Sequence, residues 1–171
     1  MAMKPGLRRV ALTAHVAASV GWVGSVLAFL ALAVAGLTSQ DGQTVRSAYL
    51  AAELVTWWVI VPLSLASLLT GLVQSLGTTW GLFRHYWVSV KFLLTVPATV
   101  VLLVHTRPIG RLARAVQQTT LSDGDLTWPR TQLVIAPVAA LVVLLVTTAL
   151  AMYKPGGLTR YGRRRRHEQR G

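Results

Sequence analysis

Cysteine is absent from the 171 residues, and acidic residues number only five. Without thiols there is no disulfide framework, no zinc–thiolate site and no cysteine-ligated iron–sulfur cluster. Charged residues of either sign make up 13% of the chain, about half the share of a soluble domain. A water-soluble fold of this size could not cover its surface with so few charges, and a disordered chain would carry far fewer apolar residues. Gly-rich phosphate loops, the Gly-x-Ser-x-Gly elbow and His-Glu-x-x-His are missing too, and no standard nucleotide enzyme or hydrolase is signalled. What the chain does have is 53% apolar residues and a net charge of +12, from 17 Lys and Arg. Apolar bulk with sparse positive charge describes an integral membrane protein.

A bilayer core about 30 Å thick takes roughly 20 mostly apolar residues per helix. Three runs meet that length without a charge, and a fourth holds only Lys91, near its start. They predict an all-α, integral membrane four-helix bundle with helices at about 10–37, 54–76, 87–105 and 131–153. Residues 1–155 then form one domain and 156–171 a basic tail. In the first loop Asp41-Gly42 is a turn signal, and Thr44 is placed to cap an early extension of the second helix. GTTWG (residues 77–81) reads as a turn, and 108–118 as a short helix on the membrane surface, broken by SDGD. Pro129 falls where a first helical turn tolerates proline, while Pro62, Pro97 and Pro137 lie inside spans and should bend them. Lys4, Arg8 and Arg9 before an apolar stretch resemble a secretory signal, but the stretch is nearly twice the length of a signal core. An uncleaved first span is the expectation.

Orientation follows from the basic residues. With the N-terminus in the cytoplasm, twelve basic residues and one acid, Glu168, fall inside. Five basic residues and four acids, Asp41, Glu53, Asp123 and Asp125, fall outside. The positive-inside rule then predicts that both termini are cytoplasmic. Trp57, Trp58 and Trp128 fall near the outer boundary, and Trp80, Tyr86, Trp87 and Tyr153 near the inner one, as interfacial belts.

Ionisable residues within spans are costly and so become functional candidates. His15 lies about 9 Å past Arg9 along the first helix at 1.5 Å per residue, with Ser19 and Trp22 on its face. Lys91 reaches a comparable depth in the third span. Together they are a candidate ligand site; alternatively, Lys91 extends to the headgroups and His15 bonds a neighbouring helix. His15 and His85 are the candidate haem ligands, on one side of the membrane but differing in depth by most of two turns, and a haem b is the one cofactor weighed. No metal site is read, since Met1, Met3 and Met152 form no thioether cluster. Near the outer face Glu53 and His105 form a candidate proton-exchanging couple, or are simply hydrated or paired with Arg46 or Arg107.

The tail residues Arg160, Arg163, Arg164, Arg165, Arg166 and Arg170 follow the last span and suit anionic lipid. Nucleic acid is not expected as a partner, because no folded recognition module accompanies them. Ala14, Ala18, Gly21, Ser25 and Ala28 in the first helix, and Ser67, Gly71 and Ser75 in the second, form small-residue stripes. Such stripes suit close helix packing, or self-association as a homo-oligomer or with a membrane partner protein.

AHVAASVGWVGS, with His15, Trp22 and Gly24, and TGLVQSLGTTWGLFRHYWVSVKFLLT, with Gly71, Trp80, Gly81, Tyr86, Trp87 and Lys91, resemble a family of small bacterial integral membrane proteins of unknown function. The pattern is distantly similar to CopD-like four-helix bundles, and that resemblance implies copper handling or a cytochrome-like role. The expected function is that of a small multi-pass inner-membrane protein, more accessory, scaffold or permeation component than enzyme. A b-type haem bundle using His15 and a proton-coupled carrier using Glu53 and His105 are the alternatives.

Overall fold

The computed structural model describes residues 3–77, 90, 92–104 and 123–153. Among these residues every element is helical: α1 (Pro5–Thr38), α2 (Gly42–Val55), a π-helical turn (Thr56–Ile60), α3 (Val61–Gly77), α4 (Phe92–Val104) and α5 (Asp123–Tyr153). Three stretches among the described residues are long and apolar enough to cross a membrane: α1, the continuous run Gly42–Leu76, and Thr131–Tyr153. Their outward side chains are apolar, including Val10, Val16, Val20 and Leu27 on α1 and Leu65, Leu69 and Val73 on α3. A lipid phase is the solvent that such a surface suits.

The elements extend further than apolar runs alone predict. α1 starts at Pro5 rather than near Val10, with proline in the first turn where its missing N–H costs nothing. The second helix begins at Gly42, not Leu54, because its cap is Asp41 rather than Thr44. The Asp41 carboxylate accepts from the backbone N–H of Thr44 at 2.9 Å and of Gln43 at 3.4 Å, and from the Thr44 hydroxyl at 2.6 Å. Those bonds, the Thr44 hydroxyl first, hold its carboxyl below the usual carboxylate range. Only Ser39, Gln40 and Asp41 separate α1 from α2, so the predicted polar loop is mostly helix. α5 likewise starts at Asp123, eight residues before the apolar run. Asp123, Gly124 and Asp125 of the SDGD segment therefore open α5, and Pro129 lies well past its first turn.

α1 is the element on which the others pack: it contacts α2, the π-turn, α3 and α5. Trp22, Val26, Phe29 and Ala33 of α1 meet Val45, Tyr49 and Ala52 of α2, Ile60, and Leu133 and Leu144 of α5 in one buried cluster, with Leu102 of α4 against it. The buried hydroxyls of Ser25, Thr56, Ser64, Thr99 and Thr147 are satisfied along their own helices, as with Thr56 to the Ala52 carbonyl at 2.7 Å and Ser25 to the Trp22 carbonyl at 2.8 Å. The π-turn ends two residues before Pro62, whose ring nitrogen cannot donate to the preceding turn; α4 and α5 remain α-helical through Pro97 and Pro137. The GTTWG turn, the 108–118 surface helix, the aromatics Trp80, Tyr86 and Trp87 and the Trp128 side chain lie outside the described residues.

α1 approaches α2 closely at Gly36. A Cβ on Gly36 would stand 2.8 Å from Cζ of Tyr49, a ring only 2% exposed, whereas one on Gly24 would meet nothing within 4 Å. Alanine is favoured over glycine in a helix by about 1 kcal/mol, and overpacking costs about 1–3 kcal/mol. Thermal unfolding in detergent micelles should therefore show Gly36→Ala lowering the midpoint and Gly24→Ala leaving it unchanged or raised.

Candidate functional site

α1 and α3 run antiparallel, and their contact is polar at several levels. At one end Gln74 donates its amide N–H to the Ala11 carbonyl at 2.9 Å. One turn further along α1, the His15 ring lies over Gly71, where an added Cβ would come within 3.1 Å of the ring carbon Cε1. His15 Nδ1 is 3.0 Å from the Ser67 carbonyl and 3.1 Å from Thr70 Oγ1. A carbonyl can only accept, so Nδ1 carries the proton, and in the neutral tautomer the ring lone pair is then on Nε2. The Thr70 hydroxyl donates to the Ala66 carbonyl at 2.6 Å, which leaves its oxygen able to accept from His15. Another turn along, the Ser19 and Ser67 hydroxyls bond at 2.8 Å. Beyond them a Cβ on Gly21 would lie 3.1 Å from Cδ1 of Leu63, and Trp22 is 3% exposed in the core.

Small residues on α3 permit this arrangement. Gly71 makes room for the imidazole, and Ser67 supplies both a hydroxyl and the carbonyl that Nδ1 reaches. Interhelical bonds of this type average about 0.6 kcal/mol each in membranes, so the His15, Ser19 and Gln74 bonds together contribute about 2 kcal/mol. His15 sits five residues from the level of Leu76, about 8 Å in from the end of the apolar run at 1.5 Å per residue.

The small-residue stripe expected on α1 is correct at Ala18, Gly21 and Ser25, which face inward. Ala14 and Ala28 are exposed, because a stripe with three- and four-residue steps drifts off the narrow seam. Glu53 lies near the other end of the apolar run and is half-buried. It forms no ion pair with Arg46 among the described residues; instead it lines a shallow open groove with Leu54, Trp57 and Trp58. Glu53 and His15 are thus far apart and make no common site. Lys91, His85, His105, Arg107 and the tail arginines lie outside the described residues. No group of three or more His, Asp or Glu side chains is gathered among the described residues.

Thr70 and Gln74 are partners that a search for ionisable residues passes over, since neither carries a charge. Their signal is plain once sought: an amide and three hydroxyls, those of Ser67, Thr70 and Ser75, in the otherwise apolar run LASLLTGLVQS.

Replacing His15 by Phe keeps a ring over Gly71 but removes the donor to Ser67 and Thr70. Denaturant titration in mixed micelles should show a loss of about 1–2 kcal/mol, while Val16→Ala on the exposed face of α1 changes stability by less. Comparison with protein-family models, curated proteins and solved structures finds no match to this chain, so the CopD-like resemblance rests on the quoted motifs alone.

Proposed function

We propose that the chain is a multi-pass protein of the bacterial plasma membrane, a four-span bundle with both termini in the cytoplasm, acting as a non-enzymatic accessory or scaffold component. α4 (Phe92–Val104) falls within the fourth apolar run, 87–105, to which the remaining span is assigned. The CopD-like motifs and the distribution of basic residues support this arrangement. The observation that carries the scaffold role is the use made of His15: its Nδ1–H goes to the α3 backbone and its ring rests on Gly71. The side chain that first suggests chemistry is engaged in holding helices together, as are Ser19 and Gln74. A permeation role is less well supported, because these polar groups are turned into a helix contact. The composition of the basic tail suits anionic lipid.

One observation favours a second reading, a b-type haem held by His15. Donation from Nδ1 to a backbone carbonyl is the arrangement that orients a ligating histidine and places its lone pair on Nε2. The two readings part on a simple measurement. Protein purified after expression with haem supplied is expected to show no Soret band, and a band that disappears in His15→Phe would replace the scaffold role with the haem one.

Orientation has its own test. A reporter active only in the periplasm, fused after Gly171, should be silent, and the same reporter inserted at Gln40 should be active; the reverse pattern would invert the topology.

A further inference from the structure

Two adjacent tryptophans stand where the π-turn interrupts the second long helix, and both face outward, Trp57 at 51% and Trp58 at 77% exposure. With Glu53 and Leu54 they line one open groove. An indole face attracts a cation through its quadrupole, and a carboxylate does so directly. The backbone adds acceptors at the same level. In a regular α-helix the Val61 N–H would bond the Trp57 carbonyl, but here it reaches the Thr56 carbonyl. Pro62 occupies the place from which an N–H would serve the Trp58 carbonyl, and it has none to give. The carbonyls of Trp57 and Trp58 have therefore each lost their α-helical donor. The groove also marks a change of surroundings. Outward side chains before it are Gln43, Thr44, Arg46 and Ser47, and those after it are Leu65, Leu69 and Val73.

A groove lined by an acid and two indoles, beside a turn whose carbonyls have lost their α-helical donors and at the switch from polar to apolar surface, selects a cation attached to an apolar body. We propose that it binds a phosphoethanolamine lipid. The ammonium lies against Glu53 and the indoles of Trp57 and Trp58, its N–H groups reach the carboxylate and carbonyl oxygens, and the acyl chains follow the apolar face below. This site requires the chain to sit in a bilayer, as in the reading above, but not any particular role for His15.

The test is lipid retention by the full-length protein, purified from membranes and observed by native mass spectrometry with phosphatidylethanolamine, phosphatidylcholine or phosphatidylglycerol supplied in turn. Glu53→Gln, and separately the pair Trp57→Leu with Trp58→Leu, should each lower phosphatidylethanolamine retention roughly five- to tenfold. Phosphatidylglycerol retention, which draws on the basic tail, should not change. Wild-type protein should hold the primary ammonium better than the trimethylated one, which has no N–H to donate. Equal phosphatidylethanolamine retention by wild type and both variants would overturn the proposal. So would displacement of the lipid by soluble ethanolamine at the concentration at which the lipid itself binds, since the site would then recognise a free amine. Protein that never partitions into membranes would instead overturn the bilayer reading, whereas inserted protein without this selectivity counts against the groove alone.

Discussion

Inside a hydrocarbon layer a polar side chain cannot turn to water, so it must find its partner on another helix or on its own backbone. That constraint fixes how α1 meets α3. Gln74 must reach Ala11, His15 must reach Ser67 and Thr70, and Ser19 must reach Ser67, and only one antiparallel register satisfies all three at once. Apolar contact with lipid tails nearby would discriminate poorly between registers, because tails are as apolar as leucine. The polar bonds add specificity beyond their modest energy. Gly71 and Gly21 let the backbones approach closely enough for the bonds to form.

The opposite end of the pair is held differently. Tyr49 fills the space that Gly36 leaves, and Asp41 caps α2 after a connection of three residues. Helix thus continues beyond the apolar run on both α1 and α2. Between this hairpin and the polar seam stands the π-turn, which absorbs Pro62 within one continuous helix. The same irregularity turns Trp57 and Trp58 outward beside Glu53, so a device that accommodates proline also shapes a surface groove.

Much of the helical architecture is legible in the sequence, because charge-free runs of bilayer length have few other uses. The ends of the helices are not, since helix persists wherever a cap and a packing partner sustain it, as at Asp41 and Tyr49. Hydropathy registers lipid contact and is blind to helix that continues outside it. The candidate site is legible in part. His15, Ser19 and Trp22 share a face by simple periodicity, and Ser67 and Gly71 stand out as small residues. Their pairing is not legible, because it depends on the register of two helices more than forty residues apart along the chain. Glu53 is visible as an acid in an apolar setting, but its place beside two outward indoles depends on a π-turn that periodicity does not reveal.

A chain without cysteine allows the register to be tested directly. Ser19 and Ser67 bring their hydroxyl oxygens to 2.8 Å, so Ser19→Cys with Ser67→Cys should form a disulfide in isolated membranes on mild oxidation. Ser19→Cys with Ser64→Cys, almost one turn away, should not. Efficient cross-linking of the first pair alone is the result this structure predicts; failure of that pair, or preference for the second, would contradict the register on which the rest depends.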